Sequence, residues 1–368
     1  MKIMTVFGTR PEGIKMAPII KEIEKRPNIE SVICITAQHR EMLDQVLNLF
    51  EIEVDYDLNI FKPGQSLTEI TTRAIKGLEE VIIKEKPDVL LVQGDTTTVF
   101  AGALAAFYQK VKIGHVEAGL RSGNLYSPYP EEANRKLTGV LTNFHFAPTE
   151  INRQNLLKEA YPDENIFITG NTVIDALKYT VKNDYFFETP LLNNLDYENK
   201  RIILLTSHRR ENIGRPMENI FNAINDIVNS YEDVEVVFPM HLNPKVREIA
   251  RSVMGENLRI HLIDPLEYEP FTNLMAKCHL VVTDSGGLQE EAPTLAKPVL
   301  VVREETERPE GIEAGTAKLV GTDYDNLFNN LDLLLKNKDE YNKMAKSVNP
   351  YGDGKAAERI VDVLMNKI

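Results

Sequence analysis

Three carboxylic acids in the first half of the chain are candidates for acid–base chemistry. Asp95 and Glu117 each follow an apolar, strand-like run, and Glu131 stands at the start of a helical pattern after a proline-rich loop. In a parallel sheet the carboxyl ends of the strands share one edge, so these acids are predicted to converge there. Helix caps would account for two of them. Three acids beside Arg10 and Lys15 favour an acid–base site, because crowding drives carboxyl pKa values apart.

Two cations, Arg10 and Lys15, follow the first apolar strand, in the loop at residues 8–13 and on the first turns of the helix after it. That loop leaves the carboxyl end of its strand, which faces the ligand crevice in open α/β sheets. Solvated surface charge is the alternative interpretation. We predict a phosphate contact for Arg10, since a guanidinium fork fits phosphate oxygens.

A second candidate site lies between apolar runs at residues 280–283 and 298–302, which indicate a strand–turn–helix–strand unit. Residues 285–287 (Ser-Gly-Gly) form the predicted tight turn. Glycines let a backbone approach a ligand closely, and the free N–H groups of a helix start favour phosphate. Glu290 and Glu291 could accept hydrogen bonds from ribose hydroxyls; otherwise these two acids only complement the helix dipole.

The strand–loop–helix pattern runs twice, which predicts an α/β protein of two doubly wound, Rossmann-like domains with an interdomain cleft. We assign residues 1–170 to the first domain and 171–352 to the second. The C-terminal helix, residues 353–368, is expected to return to the first domain. Residues 183–200 lose periodicity and gain Asn, Pro and acids, so the interdomain linker is predicted there.

The second half repeats the basic loop of the first. His208 and Arg209 follow the first strand of that half, and Arg308 lies in a charged loop at residues 303–313. Arg308 is the most plausible phosphate or substrate contact of that loop, because its planar guanidinium suits phosphate.

Composition excludes several classes. The chain has 368 residues, 43% hydrophobic and 26% charged, as expected for a globular protein too long for one core. A net charge of −13 argues against a nucleic-acid surface. No apolar run is as long as a membrane span, and no signal pattern or metal-type Cys/His cluster is seen. Cys34 and Cys278 sit in apolar runs, which suits the buried thiols of a cytoplasmic protein.

Seven collinear motifs resemble those of the non-hydrolysing UDP-N-acetylglucosamine 2-epimerases. They are GTRPE at 8–12, QGDTTT at 93–98, HVEAGLR at 115–121, PEEANR at 130–135, HRREN at 208–212, DSGGLQEE at 284–291 and TERPEG at 306–311. The match continues to residue 355 and so covers essentially the whole chain. The resemblance implies the GT-B-like fold of nucleotide-sugar glycosyltransferases, with UDP bound by the second domain. It also implies a homodimer and no cofactor or metal.

The family reaction implied by the resemblance interconverts UDP-N-acetylglucosamine (UDP-GlcNAc) and UDP-N-acetylmannosamine (UDP-ManNAc). A base removes the C2 proton while UDP leaves C1, giving a 2-acetamidoglucal, and UDP adds back after reprotonation from the other face. Such a product would supply ManNAc units for cell-surface polysaccharide. The acid that serves each face is left open.

Residue roles follow from the matching motif positions. The implied catalytic residues are Asp95, Glu117, Glu131 and His208. The implied substrate-binding residues are Arg10, Lys15, Phe271 (facing uracil), Ser285, Gly286, Gly287, Glu291 (ribose hydroxyls) and Arg308.

Some family members are activated by their own substrate bound beside the catalytic sugar. The matching positions, besides Glu131, are Gln38, His39, Gln65, Arg209 and His241. Gly64 and Glu41 depart from the arginine and glutamine that some members carry, which should weaken a second diphosphate there.

Three other functions stay open at this point. A glycosyltransferase of the same fold would transfer the sugar to an acceptor, and a hydrolysing epimerase would release UDP and free ManNAc. A nucleotide-sugar sensor would only bind, with its acids serving as helix caps.

Overall fold

The computed structural model describes residues 1–37 and 40–368 and contains two compact units. Unit 1 comprises Met1–Tyr179 and Tyr351–Ile368, and unit 2 comprises Thr180–Pro350. The boundaries predicted at residues 170 and 352 are therefore displaced to 179 and 350.

Unit 1 is built on a seven-stranded parallel sheet. Its central strand β4 is buried throughout, as expected for a parallel sheet covered by helices. The strands are β1 Lys2–Phe7, β2 Glu30–Ile35, β3 Tyr56–Asp57, β4 Val89–Gln93, β5 Lys112–Val116, β6 Phe144–Ala147 and β7 Ile166–Ile168. Their order across the sheet is β3-β2-β1-β4-β5-β6-β7.

The helices of unit 1 begin after the strands. They are α1 Arg10–Glu24, α2 Arg40–Leu49, α3 Leu67–Glu85, α4 Thr97–Tyr108, α5 Glu131–Leu141, α6 Glu150–Lys158 and α7 Thr172–Thr180, whose last residue begins unit 2. The α3 helix starts with a capping box, in which Ser66 and Glu69 satisfy each other's backbone N–H groups.

Unit 2 repeats the plan on a six-stranded parallel sheet ordered β10-β9-β8-β11-β12-β13. Its elements are α8 Pro190–Asn194, β8 Arg201–Thr206, α9 Arg215–Ser230, β9 Val234–Pro239, α10 Pro244–Met254, β10 Ile260–Ile263, α11 Tyr268–Lys277, β11 Leu280–Thr283, α12 Gly286–Thr294, β12 Val299–Val301, α13 Pro309–Glu313, β13 Ala317–Leu319, α14 Tyr324–Lys336 and α15 Lys338–Ala345. The two sheets confirm the predicted α/β class with two doubly wound folds.

The last helix, α16 Ala356–Lys367, belongs to unit 1 and contacts α1 there. Its start is held by Asp175 on α7, which accepts hydrogen bonds from the backbone N–H groups of Ala356 (3.2 Å) and Ala357 (2.9 Å). These bonds explain why α7 belongs to unit 1, although residue 170 was predicted as the boundary.

The segment at residues 183–200, predicted as the linker, lies wholly within unit 2. It contains α8, and the side chains of Phe187 and Leu192 are buried. Asn193 secures the segment by accepting from the backbone N–H of Phe187 (2.8 Å) and donating to its carbonyl (2.7 Å). The hydrophobic periodicity is lost at residues 183–200 because the backbone is largely irregular there, although the buried side chains of Phe187 and Leu192 hold the segment in unit 2.

The order of each sheet reverses at one strand pair, β1 with β4 in unit 1 and β8 with β11 in unit 2. In doubly wound sheets ligands bind at this reversal, beyond the carboxyl ends of the strands. The loops that leave β1, β4, β8 and β11 carry Arg10, Asp95, His208 and Ser285, so each unit places predicted site residues where such folds bind ligands.

The loop between β5 and α5 contains two left-handed glycines with different surroundings. A Cβ on Gly119 (φ +90°) would lie 2.3 Å from the backbone oxygen of Asn152, whereas one on Gly123 (φ +79°) meets nothing within 4 Å. We expect Gly123→Ala to destabilise unit 1 by about 1–2 kcal/mol through backbone strain alone. Gly119→Ala should add about 1–3 kcal/mol for overlap with a backbone that cannot move away.

Thermal melts of the two alanine variants measure this difference. Gly119→Ala should lower the melting midpoint by at least twice as much as Gly123→Ala. Equal midpoints would show that the Asn152 backbone yields to the new methyl group.

Candidate active site

Glu117 is the most heavily contacted of the three predicted acids. It follows β5 with a left-handed φ of +65°. Lys15 donates to both of its carboxylate oxygens, at 2.6 and 2.7 Å, and the Asn171 side-chain amide donates to Oε1 at 3.0 Å. The amide of Gln93, the last residue of β4, donates to Oε2. These donors fix the orientation of the Glu117 carboxylate, and Lys15 forms an ion pair with it.

Asp95 lies between β4 and α4 and is held by residues of α5. Arg135 donates to its Oδ2 from Nε (2.9 Å) and from a terminal nitrogen (2.5 Å), and Asn134 donates to its backbone carbonyl (2.9 Å). The alternative role considered for Asp95, an N-cap of α4, is wrong. Thr96 caps that helix, since its hydroxyl accepts from the backbone N–H of Val99.

The backbone beside Asp95 is anchored by His115, which is buried on β5. The His115 Nε2 lies 2.7 Å from the carbonyl of Gly94 and donates to it. Burial lowers the pKa of His115 to about 4, so the ring is neutral at physiological pH and serves as a hydrogen-bond donor.

Glu131 is the first residue of α5 and is half-buried. Its Oε2 is buried without a hydrogen-bond partner in residues 1–37 and 40–368. A buried carboxylate oxygen without a partner is unusual and calls for an explanation, such as a ligand. Glu131 thus differs from Asp95 and Glu117, which both form ion pairs.

Arg10 is the first residue of α1, and its side chain makes no ion pair or hydrogen bond with the described residues. The loop before it is fixed by Glu12, which accepts the backbone N–H groups of Gly8 (3.1 Å) and Thr9 (2.8 Å) and the hydroxyl of Thr96 (2.6 Å). Burial raises the pKa of Glu12, although these hydrogen bonds oppose the rise. Arg10 therefore extends from a helix start whose preceding loop is fixed by these bonds, and no described residue neutralises its charge.

In unit 2, His208 is organised by Asp284, a fully buried residue after β11. Asp284 accepts the backbone N–H groups of His208 (2.7 Å) and Arg209 (2.9 Å), and its Oδ1 lies 3.0 Å from His208 Nδ1. Burial opposes the charge of Asp284, but the contacts from His208 and Arg209 outweigh it and lower its pKa. The contact with Asp284 orients the His208 ring.

The predicted tight turn at residues 285–287 is instead the start of a helix. Ser285 is the N-cap of α12, and Gly286 and Gly287 form its first turn. A Cβ on Gly286 would lie 2.7 Å from a guanidinium nitrogen of Arg308, so glycine is needed there for that side chain. A Cβ on Gly287 would meet nothing within 4 Å, so packing does not require the second glycine.

Arg308 stands at the N-terminus of α13, in the segment predicted as a loop. Its guanidinium contacts Glu290 (2.6 Å) and Glu307 (2.9 Å), and the pKa of Glu307 falls to about 2 because Arg308 and Arg303 outweigh its burial. Glu290, considered for a ribose, is thus engaged with Arg308.

Phe271 lies half-buried on α11, and Glu291 lies buried on α12. Tyr268, the first residue of α11, donates its hydroxyl to Glu291 at 2.9 Å. This bond links the two helices and orients the carboxylate predicted to meet the ribose.

The residues predicted for substrate activation divide between the units. Gln65 lies in unit 1 before α3, and Arg209 and His241 lie in unit 2. The rings of His241 and His208 stack with centroids 5.7 Å apart, and burial with the nearby His208 lowers the pKa of His241. Gln38 and His39 lie outside the described residues.

Several supporting residues were not predicted from sequence. They are Glu12, Gln93, Glu132, Arg135, Asn171 and Asp284. All but Asn171 lie inside the motifs quoted above, so the available signal was their position next to a predicted acid or cation. Asn171 has no such signal, because its contact with Glu117 joins segments 54 residues apart.

In the part of the chain that the structure describes, no three His, Cys, Asp or Glu residues are grouped to hold a metal ion. No described helix is long and apolar enough to span a membrane.

Comparison with known proteins gives full-length matches. The family model described as UDP-N-acetylglucosamine 2-epimerase matches residues 21–365. The UDP-N-acetylglucosamine 2-epimerase of Bacillus subtilis is 57% identical over 365 residues, covering 99% of this chain and 95% of the relative. That of Escherichia coli K12 is 55% identical over 371 residues, covering 100% and 99%.

A solved structure gives the same result. The crystal structure of the UDP-GlcNAc 2-epimerase from Neisseria meningitidis, bound to UDP-GlcNAc, matches with a TM-score of 0.90 and 52% identity over 100% of both chains. These matches confirm the family that the seven motifs predict: the chain belongs to the UDP-N-acetylglucosamine 2-epimerase family.

Proposed function

We propose that this protein is an enzyme that reversibly converts UDP-GlcNAc to UDP-ManNAc by inversion at C2. The observation that carries the proposal is the group of three carboxylates, Asp95, Glu117 and Glu131, on adjacent elements of unit 1 in a full-length member of the epimerase family. The Neisseria enzyme was crystallised with UDP-GlcNAc bound, which supports the same substrate here.

The proposed reaction is an elimination followed by an addition. A base takes the C2 proton, the C–H electron pair becomes the C1=C2 double bond, and UDP leaves C1 with the electrons of the C–O bond. UDP then attacks C1 of the 2-acetamidoglucal while a proton is delivered to the opposite face of C2. Both halves require positioned carboxyl groups, since the C2 proton is weakly acidic.

The contacts of the three acids favour different roles. Asp95 and Glu117 each face a cation, so protonating either one would break an ion pair. Glu131 carries a buried oxygen without a partner in the described chain, so proton transfer there breaks no ion pair. We propose that Glu131 exchanges the proton on one face of C2, and we leave the acid of the other face, Asp95 or Glu117, unassigned.

Within unit 2, the departing diphosphate would be stabilised by groups at the carboxyl ends of β8 and β11. In unit 1, Arg10 stays a predicted phosphate contact. The free N–H groups at the start of α12 and the His208 imidazole, which Asp284 orients, supply hydrogen-bond donors. Phe271 would face the uracil and Glu291 the ribose hydroxyls. Arg308 would contact the substrate by exchanging one of its carboxylate partners for a phosphate.

The remaining parts of the proposal rest on the family resemblance. We propose that the protein is a cytoplasmic homodimer that uses no cofactor and supplies ManNAc units for cell-surface polysaccharide. Activation by a second UDP-GlcNAc at Gln65, Arg209 and His241 stays a prediction.

Proton NMR of UDP-GlcNAc with the purified protein in deuterated water, without added metal or NAD, tests the reaction. We expect UDP-ManNAc to appear with deuterium at C2, because the abstracted proton is replaced from solvent. UDP accumulating with free ManNAc would instead identify a hydrolysing enzyme. An unchanged spectrum from folded protein that binds UDP would favour a transferase or a sensor.

Glu131→Gln tests the proposed proton transfer. The amide cannot exchange a proton, so we expect kcat to fall by about 100-fold or more. Because the Oε2 atom has no partner to lose, the melting midpoint should stay within a degree or two of the wild type. A variant that keeps wild-type turnover would remove Glu131 from the chemistry.

Gly287→Ala tests the proposed phosphate contact at α12. Alanine fits the open space at this helix position, so the variant should be as stable as the wild type or more stable by about 0.4–1 kcal/mol. If the backbone approaches a phosphate closely, the added methyl group should weaken UDP binding about tenfold, or about 1.4 kcal/mol, by calorimetry. Unchanged UDP affinity would contradict that contact.

A further inference from the structure

Arg135 is a buried cation whose role the proposed chemistry does not yet include. It lies on α5 one turn after Glu131 and directs two guanidinium nitrogens at a single oxygen of Asp95, Oδ2, at 2.9 and 2.5 Å. The neighbouring Asn134 holds the Asp95 backbone carbonyl at 2.9 Å. The helix that begins with one proposed catalytic acid therefore holds the side chain and backbone of another.

The other side of Arg135 is equally fixed. A third guanidinium nitrogen donates to Oε2 of Glu132 at 3.0 Å, and Glu132 is fully buried. Glu132 in turn accepts the backbone N–H groups of Ser122 (3.1 Å) and Gly123 (3.2 Å). A guanidinium held between two carboxylates has little freedom, so its geometry is transmitted to Asp95.

The two carboxylate oxygens of Asp95 differ in the hydrogen bonds that they accept. Oδ2 accepts both nitrogens of Arg135, while Oδ1 accepts no hydrogen bond within residues 1–37 and 40–368. About a quarter of the Asp95 side chain is exposed, so the carboxylate is accessible to a ligand.

We propose that Arg135 is a positioning residue that acts through Asp95, holding Oδ2 of that carboxylate and presenting Oδ1 alone to the substrate. Asp95 then offers the sugar a single acceptor oxygen in a fixed orientation, because the guanidinium occupies the other oxygen. The inference rests on the proposed epimerisation and adds a residue to it.

The chain offers a matched control in the Arg121–Glu159 pair. Arg121 also makes a two-pronged contact, at 3.0 and 2.8 Å, within unit 1. The side chains are 9% and 25% exposed, against 11% and 27% for Arg135 and Asp95. Loss of either arginine breaks an ion pair of similar burial, but only Arg135 contacts a proposed catalytic acid.

Steady-state epimerisation by the full-length Arg135→Gln, Arg135→Lys and Arg121→Gln variants is the first part of the test. We expect Arg135→Gln to lower kcat about 100-fold with KM changed less than about threefold, because the contact is needed in the transition state. Arg135→Lys, which keeps the charge without the fork, should lose about tenfold. Arg121→Gln should lower the melting midpoint comparably and leave kcat within about threefold.

Combination with Asp95→Asn is the second part. If Arg135 acts through Asp95, adding Arg135→Gln to Asp95→Asn should reduce kcat less than about twofold further. Multiplied losses in the double variant would overturn the proposal, as would wild-type turnover in Arg135→Lys or Arg135→Gln. If the Arg135→Gln variant melts below the assay temperature, the kcat of Arg135→Lys is compared with that of Arg121→Gln instead.

The wild-type protein separates this inference from the proposed function. Absence of epimerisation by the wild type would overturn the function and the role of Arg135 with it. Wild-type epimerisation together with an Arg135→Lys variant of unchanged kcat would leave the function standing and overturn only the positioning role.

Discussion

The pairing of β1 with β4 and of β8 with β11 is the constraint on which the rest of both units depends. In each sheet these two strands run side by side and in the same direction, and the strand order reverses between them. Adjacent helices must then depart to opposite faces, which opens a crevice beyond the carboxyl ends. The side chains argued above to act on a substrate stand in the loops or helix starts at this edge.

Three buried carboxylates near the strand ends are each compensated by several partners. Glu12 is buried with three donors, Asp284 with two backbone N–H groups and a histidine, and Glu117 with an ammonium and two amides. Uncompensated burial of such carboxylates would be strongly unfavourable. The hydrogen-bond partners that offset the cost of burying these carboxylates also fix the orientation of the carboxylates. The same contacts therefore stabilise the fold and preorganise the site.

This dependence explains what could be predicted from the sequence. The apolar runs in the sequence predict the strands, and the polar residues that follow them mark the carboxyl edge of a parallel sheet. Asp95, Glu117 and the start of α12 could therefore be placed at that edge. Their partners were missed, since the Asn171–Glu117 bond spans 54 residues and leaves no local pattern. The unit boundary was misplaced for the same reason, because the bonds from α16 to Asp175 span more than 180 residues.

The two glycines at the start of α12 were wrongly predicted to form a tight turn. A Ser-Gly-Gly sequence after a strand suits a left-handed turn, yet neither glycine has a positive φ. Gly286 is needed for the approach of Arg308, while Gly287 occupies a helical position where a side chain would fit. By contrast Glu117, a residue with a Cβ, adopts φ +65°, a strain of about 1–2 kcal/mol. Its contacts with Lys15 and Asn171 hold it there. A glycine in sequence therefore does not by itself predict a left-handed residue, and a left-handed residue need not be a glycine where side-chain contacts hold it.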